Sequence, residues 1–168
     1  MTAPEPQTPD HRSPDPVRLD ARPLLVLTAH LDPPQLNEAT PYGIRKVVPV
    51  IGGTFEGDRC HGTIEPLGGH DWALVRNDGT LVLDVRLVLT THDGAHILMT
   101  YHGFRTGPPE VLERLARKEP VDPSEYYFRI APRFETGSEQ YAWMNDIICV
   151  GYGERLDVGP RYTVYEIL

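Results

Sequence analysis

The sequence predicts a mainly β protein, an antiparallel closed β-barrel of roughly eight or nine strands with one short helix. Three observations carry that reading. Short β-branched and aliphatic runs recur along the chain, turn signals separate them, and only one stretch has helical spacing. The first run, LLVLTAHL (24–31), is closed by Asp32-Pro33-Pro34, and IRKVVPVIGG (44–53) ends on a glycine pair. RCHGTIEPLGGHDW (59–72) reads as a strand leading into a tight turn. Residues 73–107 read as a meander in which NDG and HDG stand between apolar runs. In PPEVLERLARKEP (108–120), Val111, Leu112, Leu115 and Ala116 form an apolar stripe at i, i+1, i+4, i+5, and Pro120 stops it. SEYYFRIAPRFE, YAWMNDIICVGYGERL and RYTVYEIL supply the last strands.

The 168 residues suit one domain. Residues 1–22 hold five prolines among Thr, Ser, Asp and Arg, too little apolar surface to offset the entropy of ordering. A disordered tail over 1–22 and a single barrel domain over 23–168 are therefore expected. The formal charge is −8, with no basic run, which argues against nucleic acid. No apolar run reaches the ~18–20 residues of a membrane span, and the N-terminal segment lacks the apolar centre of a secretory signal. The expectation is a cytoplasmic protein without a membrane partner, with Cys60 and Cys149 reduced and structural. A homodimer is the expected assembly, because two-fold dimers are the commonest homo-oligomers.

Alternation of side chains along strands sorts the candidate chemistry. In LVLDVRLVLT, Leu81, Leu83, Val85, Leu87 and Leu89 share one face, while Val82, Asp84, Arg86 and Val88 share the other. Asp84 and Arg86 are either an exposed ion pair or an inward pair, with Arg86 anchoring an oxygen and Asp84 accepting a proton. GGHDW delivers His70, Asp71 and Trp72 together: an acid–base pair, or a turn-capping Asp71 beside a core Trp72. If RFETGSEQYAWMND (133–146) is a strand, Tyr141, Trp143 and Asn145 share one face and line a cavity or a filled core. His92, His96 and His102 are close in sequence, but on one strand His96 and His102 stand roughly 20 Å apart. No HxH, HExxH or CxxC occurs, so no metal is expected. GxSxG and GxxxxGK[ST] are also missing, as is a strand-linked GxGxxG.

The series GIRKVVPVIGGTFEG, GGHDW, GTLVLDVRLVLTTHDGAHI, YHGFR and VDPSEYYFRIAPRFETGSEQYAWMND resembles the family called domain of unknown function 3237, in order from about Leu24 to Leu168. The resemblance implies a small β-barrel with a central cavity. It also implies kinship with cofactor-free enzymes of natural-product pathways, cyclisation catalysts among them. The matching positions are Arg45, Gly52, Gly53, Asp71, Trp72, Asp84, Arg86, Tyr127, Phe134, Glu135, Trp143 and Asn145. The chain departs from the family pattern at His70, where a small residue is usual, and at Met144, where Leu is usual.

The expected function is that of a cofactor-independent enzyme acting on a polyketide-like or aromatic small molecule by cyclisation, isomerisation or water addition and elimination. Asp84 is the expected base, Arg86 the oxyanion stabiliser, and His70 or Tyr127 the proton donor. Arg45, Asp71, Trp72, Tyr101, Glu135, Tyr141, Trp143 and Asn145 are the expected substrate contacts. Two other readings compete, the first with the same pocket and the second with the N-terminal tail and the 108–120 helix as a protein contact. One is a lipocalin-like carrier that leaves its ligand unchanged; the other is a structural subunit with a solid interior.

Overall fold

The computed structural model describes residues 18–168. Its strands are β1 (Ala21–Leu31), β2 (Leu36–Thr40), β3 (Gly43–Glu56), β4 (His61–Ile64), β5 (Gly69–Asp71), β6 (Leu74–Val75), β7 (Leu81–Thr91), β8 (His96–Thr106), β9 (Tyr127–Glu135), β10 (Cys149–Arg155) and β11 (Pro160–Ile167). All pairings are antiparallel, in the order β1-β11-β10-β9-β8-β7-β4-β3-β2, and a β1–β3 pairing closes the ring. The short strands β4, β5 and β6 together fill one position between β3 and β7, so the closed circuit has eight positions. β2 hangs outside it as a hairpin arm of β3.

The closure depends on how β3 is shared. Its first part pairs with β2, β6 and β5; its second part pairs with β4 and β1. The change of course falls at Gly52 and Gly53, whose φ values of 140° and 138° lie where only glycine is comfortable. A Cβ on Gly53 would sit 2.1 Å from the Thr28 carbonyl oxygen across the β1–β3 seam.

The aliphatic faces point inward. Leu83, Val85, Leu87 and Leu89 of β7 are buried, as are Ile97, Met99 and Tyr101 of β8 and Tyr162 and Val164 of β11. Asp84 and Arg86, weighed as inward groups, lie instead on the outer wall. Putting the uninterrupted Leu/Val face inside removes more apolar surface from water and leaves both charges solvated. The segment 133–146 is the second correction. β9 ends at Glu135, and Glu139–Asp146 forms a 3₁₀ helix, not a strand. In a 3₁₀ helix i and i+3 share a face, so Tyr141 and Met144 are buried together. The Asn145 side chain closes the loop before it, accepting from Thr136 N–H at 2.9 Å and donating to Thr136 O at 3.1 Å.

Helix α1 (Pro109–Ala116) connects β8 to β9, buries Val111 and Leu115, and ends four residues before Pro120. A 3₁₀ turn, Pro123–Glu125, follows it, and Arg114 ties the two by donating to Glu125 at 2.9 Å. β1 begins at Ala21, two residues inside the expected tail; residues 1–17 lie outside the described part. Cys60 and Cys149 are buried and free. No described helix is long and apolar enough to cross a membrane.

Replacing Gly53 with alanine should therefore weaken the barrel, by at least about 1–3 kcal/mol for backbone strain alone. Urea denaturation of wild type and Gly53→Ala checks this.

Candidate functional site

One end of the barrel interior is not filled. A cavity of about 60 Å³ lies among Asp71, Leu83, Val85, Tyr101, Arg105, Phe128, Arg155 and Tyr162, with Leu31, Val50, Leu81 and Pro160 around it. Alternation explains each polar member. β5 is held between β3 and β7, and its buried residues are Gly69 and Asp71, so Asp71 points inward while His70 points out. On β8, Tyr101 and Arg105 stand four residues apart on the inward face. Tyr162 of β11 is wholly buried and meets the Tyr101 and Phe128 rings edge to face at 5.4 and 5.3 Å. Gly153 of β10 makes room for this stack, because a Cβ there would lie 2.8 Å from the Phe128 ring.

Burial dominates the electrostatics. It raises the Asp71 carboxyl to about 7, assisted by the nearby Asp84 charge and opposed by the Asp84 N–H, which donates to Asp71 Oδ1 at 3.3 Å, and by Arg105. Burial also raises the Tyr101 and Tyr162 hydroxyls and lowers the Arg105 and Arg155 guanidiniums. Arg105 Nε, Arg155 Nη1 and Tyr162 Oη are buried with no hydrogen-bond partner among the described residues. Buried polar atoms are ordinarily satisfied. Two arginine N–H groups and a tyrosine hydroxyl thus line the same cavity as one titratable carboxyl.

Of the residues expected to form the site, the fold gathers Asp71 and Tyr101 at the cavity. The others are placed elsewhere. Asp84 is half-exposed on the outer wall, 3.8 Å from His102. Arg86 is exposed and stands opposite His70 in the β5–β7 register. Trp72 is half-exposed, and its carbonyl accepts from Arg45 Nη1 at 2.7 Å. Tyr127 is exposed beneath the Arg129 guanidinium, 5.0 Å from it. Glu135 and Asn145 border an outer-wall groove of about 400 Å³ that contains none of the unpaired buried atoms. Tyr141 and Trp143 belong to the opposite end of the barrel. The Tyr141 hydroxyl lies 3.2 Å from both Asp93 carboxylate oxygens, and Arg59 stacks on Trp143 at 3.7 Å while pairing with Glu166. Among the described residues no three His, Cys, Asp or Glu side chains gather as a metal set.

Arg105, Arg155 and Tyr162 were not singled out from the sequence. Parity carried through YHGFR and GYGER would have found the two arginines, since Tyr101, Gly103 and Arg105 share a face, as do Gly151, Gly153 and Arg155.

The whole described barrel, cavity included, falls within residues 20–167, which match the family model described as "Protein of unknown function (DUF3237)". The chain belongs to that family. It is 36% identical to UPF0311 protein blr7842 of Bradyrhizobium diazoefficiens over 137 residues, 82% of this chain and 89% of that one. Among solved structures, the conserved protein of unknown function RPA1785 from Rhodopseudomonas palustris superposes with a TM-score of 0.87. It is 31% identical, covering 91% of this chain and all (100%) of the other. An enzyme from Penicillium herquei shares the fold at a TM-score of 0.70 and 22% identity, covering 94% of this DUF3237 chain and 100% of its own.

Asp71 should make stability fall as pH rises. The folded protein keeps this proton up to about pH 7, whereas an unfolded Asp releases it near ~3.9. Between those values the native state binds the extra proton, and the loss across the window is on the order of 4 kcal/mol. Asp71→Asn, which keeps an acceptor for the Asp84 N–H, should gain stability relative to wild type between pH 5 and pH 8. Urea unfolding of both proteins at the two pH values checks this; a constant difference would place the Asp71 carboxyl in water.

Proposed function

We propose that this protein is a cofactor-independent acid–base enzyme whose reaction takes place at the α1 end of the barrel, with Asp71 as the proton-transfer group. A carboxyl titrating near 7 can both give and take a proton at neutral pH, which an ordinary Asp cannot. That group, set beside two unpartnered arginine N–H groups and a buried tyrosine hydroxyl, is the observation that carries the reading. Arg105 Nε–H and Tyr162 Oη–H would stabilise negative charge developing on a substrate oxygen, in a site that water reorganises little. The Tyr101, Phe128 and Tyr162 rings would orient a planar substrate. The reaction class is proton-transfer-driven cyclisation, isomerisation or water addition and elimination on an aromatic or polyketide-like compound. The Penicillium herquei enzyme offers a precedent for this fold housing catalysis; the residue roles rest on the cavity alone.

Small-molecule sites usually enclose ~300–1,000 Å³, against about 60 Å³ here. Holding such a compound therefore requires this end of the barrel to widen. A gap of about 20 Å³ between Leu115 and Lys118, at the end of α1, and Arg155, Leu156 and Asp157 adjoins the cavity through Arg155 and would serve as its mouth. Parting these two segments would open the cavity without disturbing the strands that hold Asp71.

The test compares metabolites of the producing organism with and without this gene by LC–MS, then incubates any accumulated compound with pure protein. Conversion to a product of equal mass identifies an isomerase or cyclase, and a change of one water a hydro-lyase. Asp71→Asn should slow turnover by ~10²–10⁴-fold, whereas Asp84→Asn and Arg86→Ala on the outer wall should leave it within about tenfold of wild type. A compound that binds and returns intact would replace the enzyme with a carrier.

A further inference from the structure

The cavity's hydrogen-bonding inventory is lopsided. Arg105 Nε and Arg155 Nη1 each carry a hydrogen with no acceptor among the described residues, the buried Tyr162 hydroxyl lies beside that of Tyr101, and Asp71 is the one carboxyl in the lining. A guanidinium has no acceptor capacity at all. The charge count leans the same way, with two arginines against one aspartate. Arg22, Arg59, Arg114, Arg117 and Arg161 each lie within 4.0 Å of a glutamate. Arg105 and Arg155, the two facing the cavity, appear in no such pair among the described residues; Arg105 has the Phe128 ring at 5.9 Å, and Asp157 flanks Arg155 at the mouth. Burying unpaired cations is strongly unfavourable unless something else supplies the counter-charge.

Resting on the reading of this cavity as a ligand site, we infer that its ligand is a small oxyanion, a carboxylate or an enolate, seated against Arg105 Nε, Arg155 Nη1 and the Tyr162 hydroxyl. The planar guanidinium matches the two coplanar oxygens of a carboxylate or of a 1,3-dicarbonyl enolate. The aromatic rings of Tyr101, Phe128 and Tyr162 would cover the apolar part of the same molecule. A neutral ligand of equal shape would give the arginine N–H groups a weaker acceptor and add no counter-charge to that of Asp71 and Asp157.

Acetate and acetylacetone, the latter at a pH where its enolate forms, are the probes, with acetamide as the neutral isostere of acetate. Binding is read by calorimetry and by chemical-shift titration of the arginine Nε–H resonances. Either anion should bind saturably to wild type and at least as well to Asp71→Asn, which removes the competing carboxylate. Acetamide should not bind, and Arg105→Gln and Arg155→Gln should each weaken the anion by ~tenfold or more. Saturation by acetate alone identifies a carboxylate; saturation by acetylacetonate alone identifies an enolate. If Arg105→Gln fails to fold, Arg155→Gln at the mouth carries the comparison. Failure of both anions to bind wild type would overturn the inference, as would acetamide binding as well as acetate or unchanged affinity in the arginine variants. Saturable binding by a protein that converts nothing would sink the enzyme reading and leave the oxyanion site standing.

Discussion

A single strand has to belong to two parts of the wall, and the rest of the structure follows from how β3 manages this. Its first half is the seat for β5 and β6, and its second half closes the ring against β1. The Gly52–Gly53 bend between the halves lets one continuous backbone do both. β5 contributes only three residues, too few to hold a register alone, but the β3 and β7 ladders on either side fix it. Through that register the closure of the barrel determines that Asp71 faces inward.

The two ends of the interior were resolved in opposite ways. At one, the 3₁₀ helix 139–146 drives Tyr141 and Met144 into the opening, and Arg59, Trp143 and Glu166 tie the surface over them. Polar groups there have partners within the chain. At the other end, charged and hydroxyl groups come inward from β5, β8, β10 and β11 and meet aromatic rings more than one another. Apolar packing of Leu, Val, Ile and Met between the ends keeps them apart. The first end is closed by packing and paired charges, and the second is the end to which we assign the proposed chemistry.

Much of this was legible before the coordinates. The alternating runs and turn signals indicate the antiparallel barrel, and GGHDW brings Asp71 in as a substrate contact, with the neighbouring His70 favoured for proton transfer. The error over Asp84 and Arg86 came from reading one strand by itself: alternation says which residues share a face, and only the neighbouring strands say which face is buried. β8 supplies the deciding neighbour, since Leu83 stands opposite Gly103 and Val85 opposite Tyr101 on the inward side. Residues 133–146 misled for another reason. Tyr141, Trp143 and Asn145 alternate by chance, while the buried pair is Tyr141 and Met144, three apart. The arginines were overlooked because each ends its strand, at Arg105 just before the α1 connection and at Arg155 before a tight turn, where a charged residue reads as solvated.

The placement of Asp71 on a strand clamped from both sides also bears on how such a protein could diversify. On the proposed reading the proton-transfer group is built into the wall, whereas the gap adjoining the cavity at Arg155 is bordered by α1 and the turn between β10 and β11. Substitutions, insertions or deletions in those two connections can reshape what is admitted while the register that aims Asp71 stays intact. On that reading a lineage could exchange one compound for another by editing loops, and the reactive group would not have to be invented again.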